Sequence, residues 1–140
     1  MLLKIKTDIS EIDAICTKLE KFCKDNNISD DKSYDIVIIT DEMATNVINY
    51  AYPDGKEHWF VIEITKDNNI VHICLEDDGI PFDPLQKVDP NLNESLEERP
   101  IGGLGIYLVR QLSNTVTYRR ENGKNRLDIF IKIDGVENGD

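Results

Sequence analysis

Two runs of alternating apolar residues, each folded back on itself by a turn signal, restrict this chain to folds that contain antiparallel strands. Trp59 to Thr65 (WFVIEIT) and Ile70 to Glu76 (IVHICLE) are joined by Lys66-Asp67-Asn68-Asn69. Thr115 to Glu121 and Arg126 to Ile133 are joined around Asn122-Gly123, the dipeptide best suited to a two-residue hairpin. A shorter alternation, Leu2 to Thr7, predicts one further strand.

Elsewhere the apolar period is helical. After a cap at Asp8 or Ser10, Ile12, Ile15, Cys16, Leu19, Phe22 and Cys23 form one stripe of a helix that runs to about Asn26, with Lys18, Lys21 and Lys24 opposite. A second helix, Lys32 to Ala51, follows the cap signal at Ser29 and ends at the turn Tyr52-Pro53-Asp54-Gly55. A third, Ile106 to Leu112, is opened by Gly102-Gly103-Leu104-Gly105. The order is β-α-α-β-β-lid-α-β-β. It predicts an α+β fold, a two-layer α/β sandwich in which a mixed, mainly antiparallel sheet packs on helices. From Asp77 to Pro100 no period survives and four of the five prolines fall there, so residues of about 80–101 read as a lid or binding loop. A chain of 140 residues supports one core, here a single domain over 1–134 with a frayed tail at 135–140.

Charge and cysteine usage narrow the function classes. With 16 Lys+Arg against 27 Asp+Glu the net charge is −11, which disfavours nonspecific attachment to nucleic acid or an anionic membrane and leaves protein partners and metal-bound anions. Cys16, Cys23 and Cys74 form no CxxC pair and read as reduced core thiols. The N-terminus has no apolar run typical of a signal peptide, and no stretch is long enough to span a membrane, so a cytoplasmic protein is expected. His58 and His72 are isolated, without partners at zinc-ligand spacing.

Three constellations could carry chemistry. Glu42 and Asn46 lie four apart on the most hydrophobic helix, with Asn49 on the same side one turn further. An amide oxygen is a good hard ligand for Mg²⁺ and a carboxylate one turn away can take a proton, although such a pair is equally at home on a solvated helix face. Asp77-Asp78-Gly79 ends a strand. It is either an ordinary turn or a carboxylate that accepts from the exocyclic amine of a base, with Gly79 allowing close backbone approach. Gly102-Gly103-Leu104-Gly105 exposes N–H groups at a helix start, a phosphate cradle in outline or else a lid hinge. It is neither a GxxxxGK[ST] loop nor a GxGxxG fingerprint. Arg99 and Lys87 read as phosphate-reaching or solvated lid residues.

In this order the three blocks DEMATNVINYAYPDG, EDDGIPFDP and RPIGGLGIYLVRQLS resemble the GHKL (Bergerat-fold) ATPases, and in compact form the bacterial anti-sigma-factor serine kinases. The resemblance runs from the first helix through the last strand. It implies that Asn46 ligates the Mg²⁺ of Mg-ATP, that Asp77 reads adenine with Gly79 permitting its approach, and that Gly102, Gly103, Leu104 and Gly105 wrap the phosphates. Asn49 joins the ATP-binding set, and Glu42 is the general base. It further implies ATP and ADP as ligands, and a serine/threonine kinase that phosphorylates a small STAS-type anti-sigma-factor antagonist and also binds a sigma factor. A homodimer and no direct nucleic-acid or membrane contact complete the expectation. A catalytically inactive nucleotide-binding module that sequesters a regulatory protein is the alternative. The catalytic domain of a sensor histidine kinase is disfavoured for want of a phosphoacceptor-His helix pair. Two departures stand out: Tyr50 takes a position where many relatives carry His, and the loop after Gly79 continues Ile80-Pro81-Phe82-Asp83-Pro84 without a second glycine.

Overall fold

The structure, a computed structural model, describes residues 1–86 and 103–133. Strand β1 (Leu2–Lys6) leads through a 3-10 turn, Ile9–Glu11, into helix α1 (Ile12–Asp25), followed by helix α2 (Asp30–Asn46). Strands β2 (Trp59–Asp67) and β3 (Ile70–Asp77) come next, then helix α3 (Gly103–Leu112) and strands β4 (Thr115–Glu121) and β5 (Lys124–Lys132). This is the element order expected from the periodicities.

The strands form a five-stranded sheet in the order β1-β2-β3-β5-β4. All four pairings are antiparallel, so the mainly antiparallel sheet is wholly so among the described residues. Both hairpins are tighter than their sequence signals suggest. Lys66 and Asp67 pair with Val71 and Ile70, which leaves Asn68-Asn69 alone in the first turn, with Asn68 at φ 53°. Glu121 pairs with Lys124 around Asn122 (φ 54°) and Gly123 (φ 75°), the positive angles that a primed hairpin turn requires.

Alternation sorts the sheet into two faces. Phe60, Ile62 and Ile64 of β2, Val71, Ile73 and Leu75 of β3, and Leu127, Ile129 and Ile131 of β5 are buried against the helices. The helices answer with Ile15, Leu19 and Cys23 from α1, Ile36, Ile39, Met43 and Ala44 from α2, and Ile106 and Val109 from α3. All three cysteines are free thiols, Cys23 and Cys74 buried and Cys16 half-buried. Of the aromatic pair at the start of β2, Phe60 joins the core, whereas Trp59 stays 45% exposed on the outer face with Lys4 Nζ and Lys6 Nζ 5.5 and 5.6 Å from its ring centre.

Caps set the helix starts. Asp8 Oδ1 accepts from Ser10 N at 3.0 Å and caps the 3-10 turn ahead of α1, and Ser29 Oγ accepts from Lys32 N at 3.3 Å, so the second helix begins at Asp30, two residues earlier than its apolar period indicates. Its far end changes pitch: Val47–Ala51 is a π turn, not a continuation of the α-helix. Helix α3 begins at Gly103, so Gly103-Leu104-Gly105 form its first turn instead of a loop before it. The expected lid lies outside the described residues from position 87 onward, with Lys87, Arg99 and Gly102, as does the expected tail 135–140. No described helix is long and apolar enough to cross a membrane.

Candidate functional site

The site starts from an exception to the sheet's own pattern. Asp77 and Asn125 continue the inward, apolar phase of β3 and β5 and lie directly opposite each other, one residue pair beyond Glu76 and Arg126. Both are buried, at 8% and 5% exposure. Two polar side chains where leucine or isoleucine would pack must satisfy each other or a ligand. Asn125 Nδ2 donates to Asp77 Oδ1 at 2.9 Å and to the carbonyl of Ile80 at 2.7 Å. Its Oδ1 accepts from the Tyr118 hydroxyl at 2.5 Å and from Phe82 N at 3.3 Å. Asp77 Oδ1 also accepts from Gly79 N at 2.9 Å. Both bonds to Asp77 therefore converge on one oxygen, and Oδ2 has no partner among the described residues. Burial pushes the Asp77 carboxyl above its ordinary value, against the opposing pull of Asn125 and the Gly79 amide.

The turn after Asp77 is pressed onto the end of the second helix. Ile80 N donates to the carbonyl of Ala51 at 2.8 Å. A Cβ on Gly79 would lie 2.2 Å from that carbonyl oxygen and 2.7 Å from the Ala51 Cβ, so only glycine fits. The Tyr52 hydroxyl donates to Asp78 Oδ1 at 2.7 Å and accepts from Asp78 N at 3.1 Å, while Arg120 holds the Gly79 carbonyl at 2.8 Å. Gly79→Ala is expected to lose about 1–3 kcal/mol of stability through the forced shift. Denaturant unfolding of the ligand-free protein checks this, and an unchanged midpoint would mean that the close approach is absent.

Beneath this turn is a cavity of about 30 Å³, lined by Met43, Asn46, Val47, Ala51, Leu75, Asp77, Phe82, Pro84, Tyr118, Asn125 and Leu127. Apolar walls with Asp77, Asn125 and Asn46 converging on one side are the makings of a base pocket. Phe82 and Pro84 roof it, and the Phe82 ring lies against Tyr50 with centroids 5.6 Å apart. The Tyr50 that replaces the expected histidine thus meets this roof.

Asn46 is 8% exposed, and its Nδ2 is the one buried side-chain polar atom without a hydrogen-bond partner among the described residues. An unpaired buried amide costs about 1–3 kcal/mol, so the position suits a polar ligand atom. Turning the amide by half a revolution presents its oxygen, a hard donor of the kind Mg²⁺ accepts. The residue fits both a phosphate oxygen and a magnesium ion.

Glu42 lies one turn before Asn46 and does not line that cavity. Its carboxylate faces the first turn of α3, where a Cβ on Gly105 would lie 2.4 Å from Glu42 Oε1. Burial, with a smaller contribution from neighbouring Asp41, raises its pKa above the ordinary value. The N–H groups of Gly103, Leu104 and Gly105 belong to the first turn of α3, where backbone donors have no partner within the helix. Asn49 is exposed in the π turn and does not line the cavity. The wider π turn breaks the four-residue phase on which its alignment with Glu42 and Asn46 depended.

Asn125 stands beside Asp77 in this candidate site and belongs to none of the three motifs. Its signal was available: in the sequence NRLDIFI it is a polar residue in phase with Leu127, Ile129 and Ile131. Tyr52 and Arg120 carried no such mark, being turn and strand residues by pattern.

The family model for the histidine kinase-like ATPase domain matches residues 5–131, nearly the whole chain. The chain belongs to that family. The GHKL resemblance read from the three motifs is borne out. This ATPase domain is 31% identical over 110 residues to the serine-protein kinase RsbW of Bacillus cereus, spanning 74% of this chain and 68% of that one. It is 30% identical over 112 residues to RsbW of Staphylococcus aureus (74% and 69%), and 26% identical over 96 residues to the serine/threonine-protein kinase BtrW of Bordetella bronchiseptica (69% and 68%). Among solved structures, the blue-light activated histidine kinase of Erythrobacter litoralis EL346 superposes with a TM-score of 0.51 at 20% identity, over 76% of this chain and 32% of that one. That likeness concerns the fold, and the α+β architecture expected for this ATPase domain agrees with it.

Proposed function

We propose that this chain is a serine/threonine-protein kinase that uses Mg-ATP, phosphorylates a small STAS-type antagonist protein, and acts as an anti-sigma factor or related regulator. Relatives named serine-protein kinases support the reaction class. The observation that carries it is the pair of carboxylates in different settings: Asp77 anchored through one oxygen by Asn125 and Gly79, and Glu42 without a hydrogen bond among the described residues, facing the start of α3. The first suits reading a base and the second suits taking a proton.

In this reading Asp77 Oδ2 accepts from the 6-amino group of adenine, and its acceptor character turns away the 6-keto group of guanine. The unpaired amide of Asn46 takes a phosphate oxygen or the magnesium ion, which when bound neutralises charge on the triphosphate. The N–H groups of Gly103, Leu104 and Gly105 face the phosphates, and the family resemblance adds Gly102 to this set. Glu42 orients the incoming serine. As the serine Oγ bonds to the γ-phosphorus, the bridging bond to the β-phosphate oxygen breaks, its electron pair leaves with ADP, and the hydroxyl proton passes to the Glu42 carboxylate. The working unit is a homodimer by family resemblance, and the partner bound depends on which nucleotide is held.

Calorimetric titration with ATP, ADP and GTP, with and without Mg²⁺, followed by transfer from labelled ATP to candidate antagonists, tests the proposal. Magnesium-assisted ATP binding with serine phosphorylation is expected. Binding without transfer to any antagonist would leave a nucleotide-dependent sequestering module, and no nucleotide binding by folded protein would overturn the reading.

A further inference from the structure

We propose that Gly105 is a positioning residue for Glu42: its missing side chain is the space that the Glu42 carboxylate occupies, so the first turn of α3 fixes where the proton acceptor stands. The inference rests on the kinase reading above, but assigns Gly105 a role apart from wrapping phosphate. A Cβ there would come within 2.4 Å of Glu42 Oε1 and 3.3 Å of its Cδ, closer than carbon and oxygen approach without displacement. Glu42 lies on α2, which packs against α3, and Ile106, the next residue of α3, is fully buried in the core. The helix therefore cannot back away from an added methyl without unseating Ile106. The carboxylate, half-buried and held by no hydrogen bond among the described residues, is the part that gives.

Two opposed effects make this measurable. Within a helix, alanine is favoured over glycine, so Gly105→Ala without a neighbour in the way stabilises the protein. If Glu42 fills the space, the same change displaces a catalytic carboxylate by about an ångström, a misplacement that can cost about 10²-fold in rate. The backbone N–H groups offered to phosphate are unaltered by the methyl, so nucleotide affinity should not follow the rate.

The experiment is a four-member cycle: wild type, Gly105→Ala, Glu42→Asp and the double variant. It is read by ATP affinity, by single-turnover transfer to the antagonist, and by thermal melting without ligand. Gly105→Ala should lower the transfer rate about 10²-fold with ATP affinity changed less than about threefold. On the E42D background, whose carboxylate is one methylene shorter, the added methyl should cost less than about threefold in rate and raise the melting temperature by about 2–6 °C. A Gly105→Ala variant that loses ATP affinity in step with rate, and is not relieved by E42D, would show that the methyl blocks phosphate and would overturn the inference. A wild type without transfer activity would defeat the kinase reading. The melting cycle still decides the packing: equal shifts on both backgrounds mean that Gly105 and Glu42 do not meet.

Discussion

Replacing Glu42 with glutamine is expected to lower phosphoryl transfer to the antagonist serine by about 10²–10⁴-fold while ATP affinity changes less than about threefold. Glutamine keeps the shape and removes only the capacity to hold a proton. Because Glu42 does not itself line the base pocket, ATP affinity is expected not to follow the rate. The pH profile gives an independent check. Burial first, and Asp41 second, place the Glu42 pKa above its ordinary 4.5, so the wild-type rate should fall with decreasing pH through a midpoint above that value. For stability the sign is opposite to that of a salt-bridged acid. The folded state holds the Glu42 proton to higher pH than the unfolded chain does, so ionised Glu42 opposes folding at neutral pH, and stability falls as pH rises through the window between the two values. Glu42→Gln should therefore melt at or above the wild-type temperature at pH 7. A variant that loses rate and melts lower would mark Glu42 as structural.

Asp77→Asn is expected to weaken ATP binding by about 10²-fold or more and to abolish the preference of ATP over GTP. The geometry leaves the asparagine little choice. Two donors, Asn125 Nδ2 and Gly79 N, converge on Oδ1 at 2.9 Å each, so the amide oxygen of the variant must stay there and its NH₂ must take the place of Oδ2. A donor then faces the 6-amino group of adenine. Folding is not the casualty, since both internal bonds survive and a buried charge is removed. Calorimetry with both nucleotides, beside a thermal melt, separates the outcomes: unchanged ATP affinity in a folded variant would remove Asp77 from the base pocket.

Most of the fold was legible because it is written in periods of two and 3.6 residues, and three elements show where that writing stops. The hairpins were visible as Asn-rich turns, but their tightness depended on Lys66-Asp67 and Lys124-Asn125 pairing as strand, and backbone register leaves no mark on polar residues. The apolar spacing from Lys32 onward predicts a uniform helix, yet Val47–Ala51 widens into a π turn and carries Asn49 out of line, because apolar spacing alone does not reveal a one-residue change in pitch. In the candidate site, Asp77 and Gly79 were legible as a strand-end motif, and Glu42 and Asn46 as a helical pair. Asn125 is 48 residues from Asp77 in sequence and meets it only because β5 inserts between β3 and β4. Contacts made by strand order are invisible to a local pattern. The packing of Gly105 on Glu42 is of the same kind.

The roof over the base pocket carries a thermodynamic tax. Phe82 and Pro84 line the cavity beside Asp77 and Asn125, so the placement of residues 82–84 sets how much of it is open to a base. Where two placements of this segment exist, the affinity measured in solution is the intrinsic affinity multiplied by the fraction of molecules in the competent one. Asn125 contributes to both quantities: it anchors Asp77 and, through Oδ1, holds the backbone of Phe82 at 3.3 Å. Anchoring the carboxylate and placing Phe82 share one side chain, so a change at Asn125 is felt at both walls of the pocket.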